Sequence, residues 1–469
     1  MMERQEITGL NREILRLSVP SILANITVPL VGMVDTAVAG HLMAASIPAA
    51  GYLPSVDEAS AAACIGAISV GAMMLNLLYW MVGFLRTSTG GLTAQAYGRG
   101  EMHECGRIFG RAAGIALAVA AVILMFQWPF GKLALLVTSP SREVHDLAFR
   151  YFLVRIWAAP ATVGLMAFRG WFVGMQDSMS SMFTDLIINV TNIAASIVLS
   201  FGIGSWAGLG FDGIALGTVV AQFAGLAYAV AVAALKYGAP VFGGLTLSEC
   251  FRSGEMRSFM GMNADLIGRS FCFTVIYMGE TMIAARFGDE YLASNAILMN
   301  LLMVFSYFTD GFAYAGEALT GRFVGEKDCT MTRRAVKYVF LWSMGLGVLF
   351  MGLYAVGGMP VLRLMTSDES VVECCRQYLP WLILMPPLGC AAFAWDGIYL
   401  GATASRGIRD AMFAAMMAFL GVWFLGRWLL HPQGALCLHV LMAAYFAHLL
   451  ARTVLLTVRY RSDVLGKPF

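Results

Sequence analysis

The chain has 469 residues, of which 59% are hydrophobic and only 13% are charged, and its mean hydropathy is +0.72. Soluble domains average about 45–50% apolar and about 25% charged residues, so this composition excludes a single soluble body of this length. The 31 basic and 29 acidic residues leave a net charge of +2, which gives no reason to expect a nucleic-acid partner.

The distribution of apolar residues predicts an all-α, polytopic membrane protein of twelve transmembrane helices. Runs of about 20 apolar residues, the length that crosses a hydrocarbon core of about 30 Å, recur along the chain. A membrane barrel would instead alternate apolar and polar residues in segments of about ten. The predicted spans lie near residues 14–39, 60–96, 108–130, 147–174, 181–203 and 211–235, then 258–287, 291–323, 335–357, 372–401, 409–430 and 435–458.

The spans divide into two sets of six. Residues 1–235 are predicted to form an N-terminal lobe and residues 259–469 a C-terminal lobe. Residues 236–258 are the longest polar connection and are predicted to link the lobes on the cytoplasmic side.

An internal repeat relates the two lobes. The stretch "GFLRTSTGGLTAQAYGRGE" (83–101) matches "GFAYAGEALTGRFVGEKD" (311–328), and "RGWFVG" (169–174) matches "DGIYLG" (396–401) 227 residues later. Because six spans are an even number, both repeats insert the same way up, so we expect pseudo-symmetric lobes around a central cavity. This architecture favours a transporter over an enzyme or a receptor.

The basic residues of the loops predict the orientation. Lys and Arg are enriched in cytoplasmic loops, and the loops at 40–59 and 203–212 contain neither. Both termini are therefore predicted to be cytoplasmic. The basic residues on that side include Arg4, Arg12, Arg16, Arg99, Arg107, Arg111, Lys236, Arg252, Arg257, Lys327, Arg333, Arg334, Arg459, Arg461 and Lys467.

Enzyme and metal motifs are missing from the sequence. The nine cysteines form no CxxC pair, so neither a zinc site nor a disulfide framework is indicated. HExxH, GxSxG and P-loop motifs are also missing, which disfavours an intramembrane enzyme or an ATP-driven pump. We expect no enzymatic activity, no bound metal and no cofactor.

Three motifs resemble those of the multidrug and toxic compound extrusion (MATE) family, and within it the DinF-like branch. They are the stretch at 83–101, "SNAILMNLLMVFSYFTDGFAYAGEALTG" (294–321) with Ser294 where the motif varies, and "FAWDGIYLGATASRGIRD" (393–410). The resemblance covers essentially the whole chain, and the motifs lie in matching order and spans.

The resemblance implies a secondary active efflux antiporter whose cavity alternates between the cytoplasm and the outside. Members exchange amphipathic, often cationic, organic compounds for protons or sodium ions. It further implies a bacterial inner-membrane location, small-molecule substrates and the lipid bilayer as partners, and a monomer. The alternative is a lipid-linked oligosaccharide flippase of the same superfamily, which would show a basic cavity where this chain has acids.

The resemblance also implies a set of site residues. The first-span aspartate of this branch corresponds to Asp35, and the fifth-span asparagine corresponds to Asn192. The partner aspartate of many members falls on Ser196, which is a departure. The sodium-linked aspartate of span ten in another branch falls on Asp396, but that branch's span-seven glutamate falls near Phe273. A sodium site is therefore less expected than a proton site.

The residues themselves support an N-lobe coupling site. An aspartate at mid-membrane costs from about 2.5 kcal/mol upward, so Asp35 should face the protein interior, where burial favours a neutral carboxyl group. One face of span five is predicted to carry four polar residues, Asp185, Asn189, Asn192 and Ser196. These side chains could share the proton of Asp35. We expect loss of Asn192 to matter more than loss of Ser196. The alternatives are a packing role for Asp35 and interhelical hydrogen bonding for the polar face.

The C-terminal lobe contains a matching acid. Aligning "VDTAVAG" in span one with "GETMIAA" in span seven makes Glu280 the counterpart of Asp35, with a longer outer loop (43–60) in the first half. A second titratable site follows as a hypothesis. The alternative is an acid paired with Arg286 near the membrane interface.

The remaining acids of the C-lobe spans are Asp310, Glu317 and Asp396. Asp310 and Glu317 are seven residues apart on one face of span eight, and Glu317 is expected to pair with Arg322. In span seven, the spacing of Asp265 and Arg269 predicts an ordinary intrahelical ion pair.

Overall fold

The computed structural model describes residues 2–42, 60–138, 140–251, 253–366, 368–431 and 434–466, and nearly all of these are helical. The predicted longer outer loop at 43–60 lies almost entirely outside the described residues. The α-helices of the described part are α1 Met2–Gly40, α2 Ala61–Val82, α3 Phe84–Gly98, α4 Met102–Met125, α5 Gln127–Thr138, α6 Arg142–Arg155, α7 Ala159–Gly174, α8 Ser178–Phe201, α9 Phe211–Tyr237, α10 Leu247–Cys250, α11 Ser253–Ala284, α12 Asp289–Gly325, α13 Cys329–Met365, α14 Glu369–Gly401, α15 Ser405–Leu430 and α16 Ala435–Tyr460.

Eleven helical segments of the described chain are long and apolar enough to cross a membrane. They coincide with eleven of the twelve predicted spans. The remaining predicted span corresponds to α11, whose 32 residues are long enough but include Asp265, Arg269 and Glu280. The all-α, polytopic prediction is confirmed, and the charged residues of α11 explain its lower hydropathy.

Three predicted spans contain breaks or end earlier than expected. The second consists of α2 and α3, which meet at Gly83, and the fourth consists of α6 and α7 with a 3₁₀ turn, Ile156–Ala158, between them. The third ends at Met125, and the chain continues as a separate helix, α5. Pro129 lies in the first turn of α5, where its missing N–H deprives the helix of no hydrogen bond.

Each half of the chain has a large buried apolar core. One core draws its buried residues from positions 38–259 and the other from positions 272–449. Small residues let the helices approach closely, as is usual in membranes. A Cβ atom added to Gly217 of α9 would lie 2.6 Å from the backbone nitrogen of Ser196 in α8, so glycine is required at that crossing.

The internal repeat appears in the crossing of α3 with α12. An added Cβ at Gly98 would overlap the carbonyl oxygen of Arg322, and one at Gly325 would overlap the carbonyl oxygen of Gln95. Gly98 and Gly325 are separated by 227 residues, as are Gln95 and Arg322. The contact is therefore reciprocal about a pseudo-two-fold axis between the lobes.

Contacts between the lobes cluster at the end of the bundle that carries the N-terminus. Gln95 Nε2 donates to the carbonyl oxygen of Gly401 at 2.9 Å, and Gln176 Nε2 donates to that of Ala318 at 2.8 Å. Glu13 of α1 forms an ion pair with Arg322 of α12 at 3.0 Å. The lobes are thus in direct contact at this end, which we call the closed end.

A buried acid between α7 and α8 fixes the ends of two helices. Asp177 accepts hydrogen bonds from Ser180 Oγ at 2.6 Å, Lys236 Nζ at 2.7 Å and the Tyr237 hydroxyl at 2.7 Å. Burial alone would raise the pKa of Asp177, but these hydrogen bonds outweigh it and hold the pKa below its usual value. Asp177 is therefore an ionised anchor between the start of α8 and the end of α9.

Candidate functional site

Asp35 lies inside the N-terminal lobe, where α1 packs against α8. Its residue surface is 4% exposed, and Ser196 Oγ of α8 donates a hydrogen bond to Asp35 Oδ1 at 3.1 Å. Within the described residues, no Lys, Arg or His forms an ion pair with Asp35. The carboxyl group is thus buried, hydrogen-bonded by one neutral donor and not fixed by a contact cation.

Arg155 supplies a positive charge near this carboxyl group. It interacts electrostatically with Asp35, and its Nη1 donates to the Tyr151 hydroxyl at 2.9 Å. Arg155 ends α6, directly before the 3₁₀ turn. The sequence could have indicated Arg155 in one way, because an arginine within an apolar span needs polar neighbours.

The predicted polar face of α8 contacts three helices, α1, α9 and, through Asp185, α7. Ser196 bonds to Asp35 of α1, and Asn192 Nδ2 donates to Thr218 Oγ1 of α9 at 2.9 Å. Asn189 Nδ2 donates to Thr27 Oγ1 of α1. The four residues share a face as predicted, but among them only Ser196 bonds directly to Asp35.

Asp185, the fourth residue of that face, has a different environment. Arg169 of α7 donates to Asp185 Oδ1 through Nε at 2.8 Å, and the two residues form an ion pair. Asp185 thus has a cation in direct contact, which Asp35 lacks among the described residues. The structure therefore separates Asp185 from Asp35.

Glu280 and Glu317 are the most deeply buried of the predicted C-lobe acids, and both are 0% exposed. Thr281 Oγ1 donates to Glu280 Oε2 at 3.3 Å, and Asn295 of α12 contacts the carboxyl group. The expected alternative, an ion pair with Arg286, is not found in the described part of the chain. Glu280 thus resembles Asp35, since both are buried acids that accept a hydroxyl hydrogen bond.

Glu317 forms an ion pair across the two lobes. Arg86 Nη2 of α3 lies 3.1 Å from Glu317 Oε2 of α12, and the guanidinium stacks 4.0 Å from the centre of the Tyr314 ring. The predicted Glu317–Arg322 pair is wrong, because Arg322 points toward the closed end and binds Glu13 and Glu326 instead.

Asp396 lies between two arginines of the C-terminal lobe. Arg269 of α11 and Arg452 of α16 both donate to Asp396 Oδ2, the latter at 3.0 Å. The predicted Asp265–Arg269 pair is also wrong, because the rotation of α11 directs Arg269 toward α14. Asp265 instead binds Arg409 Nη1 at 2.6 Å.

Asp310 completes the charged centre of the C-terminal lobe. It interacts electrostatically with Arg86, Arg269, Arg452 and Asp396, but within the described residues it forms no ion pair as short as 4 Å. Three acids, Asp310, Glu317 and Asp396, are therefore balanced by three arginines. The sequence identified these acids but did not pair them with their arginines.

The model of the MatE family matches residues 58–198 and 266–428. The chain is 30% identical over 413 residues to the DNA damage-inducible protein F of Escherichia coli, covering 88% of this chain and 85% of that protein. It is 24% identical over 428 residues to the probable multidrug resistance protein NorM of Deinococcus radiodurans, covering 88% and 86%.

Solved structures show the same fold. The bent form of the MATE transporter VcmN of Vibrio cholerae superposes with a TM-score of 0.82 at 16% identity, covering 99% of this chain and all of that one. The prediction of an all-helical, MATE-like fold is confirmed.

Proposed function

Because the chain belongs to the MatE family of membrane transporters, we propose that it is a secondary active efflux antiporter driven by protons. It exports amphipathic, often cationic, organic compounds in exchange for protons entering the cell. The name of the Deinococcus radiodurans relative, a probable multidrug resistance protein, supports small organic substrates for this chain.

The environment of Asp35 carries the proposal. A buried carboxyl group with one neutral hydrogen-bond donor and no contact cation can exist in both protonation states at moderate cost. Asp185, Glu317 and Asp396 each form an ion pair with an arginine, whereas Asp35 forms none within the described residues. Among the acids predicted in the N-terminal lobe, Asp35 is therefore the group suited to load and release a proton.

The two protonation states of Asp35 would bias two arrangements of the lobes. Protonation removes a negative charge from beside Arg155 and leaves that guanidinium without a nearby counter-charge. Two lobe arrangements that differ in the hydration of this site would then differ in proton affinity, and this difference couples proton binding to the conformational change.

The surroundings of Asp396 favour protons over sodium as the coupling ion. Two guanidinium groups already donate to its carboxylate, so a sodium ion there would meet both positive charges. The same pairing disfavours the flippase alternative, because the arginines at the centre are matched by acids and form no net basic cavity.

Location and orientation are part of the proposal. The relative from Escherichia coli supports a bacterial inner-membrane location, and the loop charges favour cytoplasmic termini. With that orientation the closed end of the bundle faces the cytoplasm. We propose that each monomer transports independently, because each chain contains both lobes.

The substitution Asp35→Asn tests the proposal. The amide still accepts the Ser196 hydrogen bond but binds no proton, so the fold should survive while coupling to this proton is lost. With the membrane potential clamped, each coupled proton lets one pH unit balance about a 10-fold substrate gradient. We expect the tetraphenylphosphonium gradient that one pH unit balances in proteoliposomes to be at least about 10-fold smaller for Asp35→Asn than for the wild-type protein.

The matched control is Asp146→Asn, since the Asp146 side chain is 50% exposed. It should balance the same gradient as the wild-type protein. An Asp35→Asn variant that balances the wild-type gradient would refute the coupling role and leave Asp35 as a packing residue.

A further inference from the structure

The carboxyl group of Glu280 occupies a buried polar pocket between α11 and α12. Its Oε2 accepts the Thr281 hydrogen bond at 3.3 Å, whereas its Oε1 has no hydrogen-bond partner in the described structure. Asn295, which contacts the carboxyl group, is 1% exposed, and its side-chain oxygen also has no partner among the described residues. The pocket therefore contains two unpaired acceptor oxygens.

The groups that face Glu280 carry no charge at neutral pH. They are Tyr277 on its own helix, Asn295 on α12 and Tyr445 on α16, with the Phe419 ring of α15 beside the neighbouring Gly279. No cationic side chain lies close enough in the described structure to form an ion pair with this carboxyl group.

One bound proton would satisfy this pocket. An ionised carboxylate offers only acceptors, and burying it without a cation costs several kcal/mol. A neutral carboxylic acid needs no counter-charge, and it adds one O–H donor to a pocket in which two acceptor oxygens lack a partner among the described residues. The geometry thus favours the protonated form of Glu280 in this conformation.

We propose that Glu280 and Asn295 form a second proton-binding site, in the C-terminal lobe, and that its proton is exchanged once in each transport cycle. This inference rests on the proposed antiport function and adds a second coupled proton to it. As at Asp35, a hydroxyl group donates to the buried acid, but Thr281 lies on the same helix as Glu280, whereas Ser196 lies on a helix next to that of Asp35.

The position of Glu280 explains how the lobes would control this proton. Tyr277, one helical turn away, packs edge-on against Trp80 of the N-terminal lobe with ring centres 5.5 Å apart, and Phe273 packs on the same ring at 6.1 Å. Movement of the lobes must change this contact. When it opens, water reaches Glu280, the O–H bond breaks, the proton joins a water molecule and the electron pair stays on the carboxylate.

Proton stoichiometry tests the proposal. With two coupled protons, one pH unit should balance about a 100-fold tetraphenylphosphonium gradient in proteoliposomes at clamped membrane potential. Glu280→Gln should reduce this to about 10-fold, as Asp35→Asn should, and the double variant should balance no gradient. Glu290→Gln, an exposed acid of the same lobe, should retain the wild-type value.

Infrared difference spectroscopy provides a readout that does not depend on transport. The carbonyl stretching band of a protonated carboxylic acid should disappear in Glu280→Gln and change in the wild-type protein when tetraphenylphosphonium is added. Asn295→Leu should shift that band without removing it. This second variant tests the assignment even if Glu280→Gln does not fold.

The outcomes separate this inference from the proposed function. A wild-type stoichiometry of one proton, or a Glu280 band that does not respond to tetraphenylphosphonium, would overturn the second site. A wild-type protein that balances no pH gradient would refute antiport itself, and the infrared band would then still decide whether Glu280 exchanges a proton.

Discussion

Ser196 and Asn192 lie one turn apart on α8 but contact different helices. The Ser196 hydroxyl donates to Asp35, whereas the Asn192 amide donates to Thr218 of α9. On this geometry we expect Ser196 to affect Asp35 more than Asn192 does, the opposite of the order expected from the sequence. Ser196, at the position where the family resemblance implied a partner acid, is the residue that bonds to Asp35.

The substitution Ser196→Ala tests this assignment at the residue scale. A hydrogen bond to a charged group contributes about 1.5–3 kcal/mol, so its loss makes ionisation of Asp35 less favourable. At about 1.36 kcal/mol per pH unit, we expect the pH dependence of tetraphenylphosphonium binding to shift upward by about one unit. Asn192→Ala should leave the profile within about 0.3 units and mainly lower thermal stability. A larger shift for Asn192→Ala would show that the proton network runs through α9.

At the scale of helices, the crossing of α3 and α12 joins the lobes at the closed end. The reciprocal contacts of Gly98 with Arg322 and of Gly325 with Gln95 leave no room for a side chain at either glycine. Because the two positions are equivalent in the repeat, substitutions at each should have similar effects.

Gly98→Ala and Gly325→Ala should each force the two helices apart. Overpacking of this kind costs about 1–3 kcal/mol, so both variants should unfold at a lower temperature than the wild-type protein in detergent. Gly345→Ala is the matched control, because a Cβ atom there meets nothing within 4 Å and alanine favours the helix. It should leave the unfolding temperature unchanged or raise it. If all three variants behave alike, the α3–α12 crossing does not hold the lobes together.

For the molecule as a whole, the sequence predicted the helical spans, the internal repeat and the acids, because hydrophobic runs and isolated charges are visible along the chain. It did not predict ion-pair partners. Asp265 and Arg269 satisfy the spacing of an intrahelical pair, yet Arg269 binds Asp396 and Asp265 binds Arg409. Helical spacing identifies residues on one face, but the packing of the whole bundle decides which helix that face meets.

The inter-lobe pair of Arg86 with Glu317 was unpredictable for the same reason. The two residues are 231 positions apart, and the carboxylate fits only because Gly90 has no side chain in its place. The repeat indicated that the lobes face each other about an axis, but it did not give the relative depth of α3 and α12. That depth follows from close contacts between glycine and backbone, which leave no periodic signal in the sequence.

Transport by the wild-type protein under separate ion gradients is the most direct test of whether protons drive export. Proteoliposomes with a clamped membrane potential would receive either a pH gradient at equal sodium or a sodium gradient at equal pH, and tetraphenylphosphonium movement would be followed. Proton-driven antiport predicts movement of the substrate against its own gradient under the pH gradient and none under the sodium gradient. Movement driven by sodium alone would contradict it.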